Sequence, residues 1–177
     1  KVLIKSLDVN DHDAVFRVFN EFDAEMVGGL DRIIVNAGMG KGASIGTGYF
    51  YANKQTAETN FVAALAQCEA ALEIFRPKNS GHLVTISSIS AVSSYRRAMT
   101  VYAATKAALS SMSEGMRIDL MGTKIKVSTI HPGFIRSEIN EKVKKVPFIV
   151  DTETGCKAMV KAIEKEGENS YVPGWPW

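Results

Sequence analysis

The stretch HLVTISS, residues 82–88, is a short run of apolar and β-branched residues that ends in two serines. Its length and composition predict a strand buried on both faces, as in parallel sheets. Runs of the same kind lie at residues 2–9, 32–36 and 124–130, and a shorter one surrounds Tyr171 and Val172. The chain therefore offers five candidate strands.

Longer amphipathic runs separate these strands and predict helices. The first follows Asn10 or Asp11 as its cap, and the second covers residues 53–75 with Pro77 just beyond its end. The third covers residues 101–121 and is closed by Gly122, and the fourth covers residues 152–165. Strict alternation of strand and helix favours a doubly wound parallel sheet within a single domain, residues 1–177.

Polar residues follow the predicted strands at the point where each strand ends. Asp8, Asn36, Ser88 and His131 all occupy such positions. Because ligands of open parallel sheets bind beyond the carboxyl ends of the strands, we expect these residues to share one edge of the fold.

The strongest single feature is Tyr102-Ala103-Ala104-Thr105-Lys106. Residues four apart on a helix face the same way, so the phenol of Tyr102 and the ammonium of Lys106 are predicted neighbours. A phenol is a poor base at neutral pH, and a nearby cation favours the phenolate by lowering the pKa. This pair is typical of a proton-transfer site.

Six motifs in a fixed order resemble those of the short-chain dehydrogenase/reductase family over essentially the whole chain. They are Asp8, Asn36-Ala37-Gly38, Asn60, Ile86-Ser87-Ser88, Tyr102-x-x-x-Lys106 and Pro132-Gly133-Phe134-Ile135. The segments at residues 85–92 and 174–177 resemble an actinobacterial group of these oxidoreductases. The resemblance implies a Rossmann-like doubly wound parallel sheet and hydride transfer between a nicotinamide cofactor and a small-molecule carbonyl or alcohol.

The resemblance also implies roles for individual residues. Tyr102 would be the proton donor or acceptor, Lys106 would lower its pKa and hold the nicotinamide ribose, and Asn60 would support a water that links Lys106 to solvent. The implied cofactor-binding residues are Asp8, Val9, Asn36, Ala37, Gly38, Tyr102, Lys106, Pro132, Gly133, Ile135 and Ser137.

The catalytic serine has two candidates. The family's serine usually lies thirteen residues before the tyrosine, where this sequence has Ile89. We favour Ser88, which directly follows the strand and would hydrogen-bond the substrate carbonyl. An insertion in the loop at residues 93–97 would explain the offset. Ser90 remains the alternative.

Members of the family begin with a strand, a glycine-rich T-G-x-x-x-G-x-G turn and a second strand, and none of these precedes Lys1. We therefore expect a partial domain, with little activity in these 177 residues alone. The implied cofactor is NAD or NADP, with a slight preference for NADP. One alternative is a truncated non-catalytic domain that acts through a partner chain, and another is an epimerase or dehydratase of the same superfamily.

Composition excludes several other classes. The net charge of +2 predicts neither a nucleic-acid partner nor a membrane partner, and Lys142, Lys144 and Lys145 predict a solvated surface. The three histidines are too scattered to predict a metal site. Two distant cysteines predict reduced, partly buried thiols, and we expect a cytoplasmic protein. The resemblance implies a homodimer or homotetramer formed through the two long helices.

Overall fold

A computed structural model describes residues 2–40, 42–93, 96–140, 146 and 148–174. The basic cluster of Lys142, Lys144 and Lys145 and the closing Trp175 and Trp177 lie outside these ranges. Within them, no helix is long and apolar enough to cross a membrane.

Strands and helices alternate along the chain. The elements are α1 (His12–Glu25), β1 (Arg32–Val35), α2 (Phe50–Ala57), α3 (Ala63–Lys78), β2 (Gly81–Ile86), α4 (Met99–Asp119), β3 (Ile125–Pro132), α5 (Thr152–Glu164) and β4 (Asn169–Val172). A π-helical turn (Glu58–Val62) joins α2 to α3, and short 3₁₀ turns lie at Ile89–Ala91 and Glu138–Asn140.

The strands form one parallel sheet in the order β1-β2-β3-β4. Leu83 of β2 lies in a core cluster with residues of α3 and α4, whereas its neighbour Val84 lies in a second cluster with Ile163 of α5. Because successive side chains of a strand point to opposite faces, helices cover the sheet on both sides. The Rossmann-like doubly wound architecture expected from the sequence is confirmed.

The prediction of a first strand at residues 2–9 is wrong. This segment takes no part in the β-ladders of the described sheet, of which β1 is an edge. Its exposure alternates residue by residue, and Lys5 donates to the carboxylates of Glu21 and Glu25 on α1. A strand is defined by its hydrogen-bonded neighbour, so a β-type sequence with none forms no strand here.

The predicted helix over residues 53–75 differs from the structure in three ways. It begins earlier, at Phe50, it contains the π turn at Glu58–Val62, and it runs through Pro77 to Lys78. The chain leaves the helix at Asn79, whose φ of 47° is left-handed and whose N–H donates to the Arg76 carbonyl. The other helix and strand bounds agree with the sequence to within two residues.

A buried histidine lies at the end of the sheet opposite the polar strand ends. The Arg32 Nε–H donates to His82 Nδ1 at 2.9 Å, and His82 Nε2 lies 2.8 Å from the Ser128 hydroxyl. Since a guanidinium can only donate, Nδ1 accepts and the ring is neutral, with its proton on Nε2. Burial, reinforced by the positive charge of Arg32, lowers the pKa of His82 below its ordinary value.

This arrangement predicts a pH-dependent stability. A histidine whose pKa is lowered by folding stabilises the fold fully above its unfolded pKa of about 6.5, and this contribution is lost as pH falls through the folded pKa. We expect the free energy of unfolding, measured in urea at pH values from the folded pKa up to about 6.5, to depend less on pH in His82→Asn than in the unchanged protein. His12→Asn, the same change on the exposed face of α1, serves as the control, and an equal flattening in both variants would contradict the assignment.

Candidate active site

Ser88 and Tyr102 form the polar pair at the carboxyl edge of the sheet. Ser88 follows β2 and caps the 3₁₀ turn, where its hydroxyl accepts from the Ser90 N–H at 3.1 Å. Tyr102 lies in the first turn of α4, and interaction with the Ser88 side chain favours its ionised form. Ser90 contributes its backbone amide to this arrangement.

Lys106 lies one helical turn after Tyr102 and is 4% exposed. Its ammonium donates to the Ile86 carbonyl at 2.8 Å, which ties α4 to the end of β2, and it is 5.9 Å from the centre of the Tyr102 ring. The Ser87 hydroxyl forms a second hydrogen bond between β2 and α4 by donating to the Lys106 carbonyl at 2.9 Å. Burial lowers the pKa of Lys106 to about 8.

The pKa of Tyr102 shifts in the direction opposite to the one expected from the sequence. Burial raises it above 10.0, and the hydrogen bond from Ser88 offsets only part of that rise. The buried ammonium of Lys106 is engaged with the Ile86 carbonyl, and burial is the larger effect at the phenol. Tyr102 is therefore protonated at neutral pH and equipped to donate.

Asn60 is fully buried in the π turn between α2 and α3. Its side-chain oxygen accepts from the Met39 N–H at 2.7 Å, and its amide donates to the Met39 carbonyl at 2.9 Å. The amide also lies 3.3 Å from the Thr105 hydroxyl. Asn60 thus fixes the loop after β1 against α4, directly beside Lys106.

We expect Asn60→Ala to lower the free energy of unfolding by about 2 kcal/mol, because both backbone groups of Met39 lose their partner. Asn53→Ala is the matched control, since Asn53 accepts a single backbone bond, from the Ala43 N–H at 2.9 Å. Urea unfolding of the two variants measures the difference. Equal losses of unfolding free energy in the two variants would contradict the importance of the two bonds between Asn60 and Met39.

A cavity of about 810 Å³ opens over this group. Nine of the eleven residues expected to bind a cofactor line it, and these are Asn36, Ala37, Gly38, Tyr102, Lys106, Pro132, Gly133, Ile135 and Ser137. Asp8 and Val9 do not line it, and Asp8 instead accepts from the backbone and side-chain amides of Asn10. Their expected part in cofactor binding has no support from this cavity.

Several residues of the cavity wall were missed from the sequence. Met99 lies three residues before Tyr102, so helical spacing could have placed it on the same face. Cys156 and Met159 were hidden because α5 packs on the opposite side of the sheet from α4. Ile139 reaches the cavity from a short 3₁₀ turn within residues 136–150, the segment in which substrate specificity was expected. Cys156 is exposed and Cys68 is buried, so the expectation of two partly buried thiols fits neither residue.

Position 155 shows how α5 approaches the site. A side-chain carbon added to Gly155 would lie 2.4 Å from Ile135, which belongs to the loop after β3. Only glycine permits this contact, and it brings the helix turn that carries Cys156 against the cavity wall.

The parallel sheet, the polar strand ends and the Tyr102–Lys106 pair are typical of α/β oxidoreductases that bind dinucleotides. A family model described as short chain dehydrogenase matches residues 1–147. The chain belongs to the short-chain dehydrogenase/reductase family.

Relatives and solved structures agree with this assignment. An uncharacterized oxidoreductase of Mycobacterium tuberculosis is 48% identical over 177 residues, which are all of this chain and 70% of that protein. A second, from Myxococcus xanthus, is 33% identical over 97% of this chain and 66% of its own length. The Mycobacterium relative confirms the resemblance to actinobacterial oxidoreductases.

Solved structures share the fold. A short-chain dehydrogenase of Streptomyces avermitilis superposes with a TM-score of 0.79 at 25% identity, over 94% of this chain and 69% of that one. A short-chain dehydrogenase of Burkholderia cenocepacia in complex with NADP gives a TM-score of 0.83 at 23% identity, over 96% of this chain and 70% of that one.

Proposed function

We propose that this protein is an NAD(P)-dependent oxidoreductase that interconverts a carbonyl and an alcohol, with Tyr102 as the proton donor or acceptor. The Ser88–Tyr102 pair beside buried Lys106, at the wall of the cavity, carries the proposal. When bound, the nicotinamide cofactor supplies or accepts the hydride.

In the reducing direction the substrate oxygen takes a proton from the Tyr102 hydroxyl. The raised pKa of Tyr102 keeps this proton in place at neutral pH until charge develops on the substrate. Ser88 fits the orienting role, because its side chain interacts with Tyr102 and both residues line the cavity, where a substrate oxygen can reach them. We therefore assign the catalytic serine to Ser88 and a supporting backbone role to Ser90.

Lys106 and Asn60 have supporting roles next to the Ser88–Tyr102 pair. We assign to Lys106 the task of holding the ribose hydroxyls of the cofactor. Asn60 holds the loop after β1 in position beside Lys106.

The residues present fit a nicotinamide cofactor. A carbon added at Gly38 would lie 3.5 Å from the Lys106 ammonium and 3.4 Å from the Asn60 side-chain oxygen, so the loop after β1 lies against both groups at ordinary contact distance. Asn36 and the segment from Pro132 to Ser137 complete the wall. NADP is the first candidate, since the Burkholderia cenocepacia structure contains it.

A homodimer or homotetramer is the expected assembly, in the cytoplasm. Apolar side chains remain exposed on the two long helical segments, namely Val62, Leu65 and Ile118. Pairing would remove them from water. Analytical ultracentrifugation of the full gene product should give at least twice the monomer mass, and a monomer at micromolar concentration would contradict the assembly.

The experiment that tests the activity uses the full gene product with NADPH and NADH in parallel. Loss of reduced-cofactor absorbance is followed with a panel of aldehydes and ketones, and formation of reduced cofactor with the matching alcohols. Turnover that needs both cofactor and carbonyl supports the proposal. Its absence across the panel, in protein shown to be folded, would refute it.

A further inference from the structure

The wall of the cavity around Ser88 and Tyr102 is apolar. Ile89 directly follows Ser88, and Met99 precedes Tyr102 by three residues on the same helix face. Phe134, Ile139 and Met159 continue this surface from the loop after β3 and from α5.

Two polar side chains in the same wall, those of Asn140 and Thr152, are committed to the protein. The Asn140 amide donates to the Ile135 carbonyl at 2.6 Å, and its oxygen accepts from the Ser137 N–H at 3.1 Å. The Thr152 hydroxyl donates to the Arg136 carbonyl at 2.8 Å. These bonds brace the loop after β3, and a polar substrate would have to break them to use the groups.

The charges around the cavity do not favour a strongly polar substrate either. No Asp or Glu is among the described residues that line the cavity, so nothing there pairs with a cationic group. Among the described lining residues the cations are Lys106, which is bonded to the Ile86 carbonyl, and Arg136, which is exposed. A polyhydroxylated or charged substrate would lose its hydration against Ile89 and Met99 with little in return.

We infer that the substrate is a neutral, apolar ketone or its secondary alcohol, with one oxygen at Ser88 and Tyr102 and its hydrocarbon part against the apolar wall. This inference rests on the proposed function and narrows it to a substrate class. Ile89, next to Ser88, and Met99, one helical turn before Tyr102, are the specificity-determining residues of this inference.

Cys156 provides a readout of binding that does not depend on catalysis. Its thiol is exposed and lines the cavity, whereas Cys68 is 1% exposed and burial raises its pKa to about 12. Alkylation of Cys156 by iodoacetamide, resolved by peptide mass spectrometry, should therefore slow when a ligand occupies the cavity. Labelling of Cys68 reports unfolding.

The test uses the full gene product, with and without NADP, and compares 2-alkanones of increasing length with a ketose and an α-keto acid. We expect the 2-alkanones to protect Cys156 at concentrations that fall about threefold for each added methylene until the cavity is full. Met99→Ala should weaken protection by the longer ketones several-fold. Met121→Ala, the same change at an exposed position, should leave it unchanged.

Two outcomes overturn the substrate class: stronger protection by the ketose or the α-keto acid, or no protection by any 2-alkanone. Failure of the proposed function is a different result. In that case the ketones protect Cys156, but no carbonyl of the panel is reduced by NADPH or NADH. Reduction confined to the polar carbonyls would keep the function and refute the apolar class.

Discussion

Tyr102→Phe should lower kcat for carbonyl reduction by about 10³-fold while leaving the Kd for NADPH close to that of the unchanged protein. The ring that fills the site is retained, and only the hydroxyl that donates the proton is lost. General acid catalysis contributes roughly 10²–10⁴-fold in enzymes, so the effect falls on turnover. Steady-state kinetics and the fluorescence of bound NADPH measure the two quantities separately.

Tyr51→Phe is the matched control for this prediction. Tyr51 is 81% exposed on α2 and lies outside the cavity lining, so the same loss of a hydroxyl should leave kcat unchanged. If Tyr102→Phe kept most of the activity, the proton would come from another group.

Lys106→Met should move activity and stability in opposite directions. We expect kcat/KM to fall by about 10³-fold, since orientation of the cofactor and the cation beside Tyr102 are both lost. Burial of the charged ammonium, which lowers its pKa from 10.5 to about 8, costs the fold about 3 kcal/mol. Loss of the bond to the Ile86 carbonyl offsets part of the gain, so the free energy of unfolding should rise by about 1 kcal/mol.

The stability gain of Lys106→Met should depend on pH. A lysine whose folded pKa is lowered destabilises the fold fully below pH 8, and this cost disappears as pH rises toward 10.5. The stability gain of Lys106→Met should therefore be largest at neutral pH and shrink above pH 8. Lys157→Met, at an exposed ion pair on α5, should change stability by less than about 0.5 kcal/mol at either pH. A loss of several kcal/mol in Lys106→Met would show that Lys106 is mainly structural.

Much of the fold could be predicted because its strands carry a local signal. The runs around Leu83 and Val127 are largely buried from both sides, and continuous apolar composition is what such burial requires. The edge strand β1 buries Ile33 and leaves Ile34 exposed. The segment at residues 2–9 has the same local signal and still forms no strand, because its pairing depends on a neighbour that local sequence does not reveal. Pairing is a tertiary property.

The candidate site, too, has some features that the sequence predicts and others that it does not. Tyr102 and Lys106 are four apart on one helix, so their proximity follows from helical geometry alone. The raised pKa of Tyr102 could not be read from that spacing, since it depends on how deeply the surrounding elements bury the phenol. Ile139 and Met159 reach the cavity only through the packing of the loop after β3 and of α5, which no short-range pattern encodes.

The π turn at Asn60 is a further feature that could not be predicted from the sequence. Helix propensity indicated one continuous helix, whereas the structure inserts a turn in which Asn60 is fully buried and bonded to Met39. Such turns often mark functional positions, because the altered pitch redirects one side chain. The amino-acid composition of residues 58–62 gives no sign of this change in pitch.

The central claim is hydride transfer at the Ser88–Tyr102 pair, and transfer of an isotopic label tests it most directly. The full gene product is incubated with a 2-alkanone and NADPH that carries deuterium at one of the two prochiral positions of the nicotinamide ring, and the product alcohol is analysed by mass spectrometry. We predict one deuterium in the alcohol from only one of the two labelled cofactors, and almost none with Tyr102→Phe. Unlabelled alcohol from both cofactors, or no alcohol in protein shown to be folded and to bind NADPH, would contradict the account and favour a non-catalytic domain that acts through a partner chain.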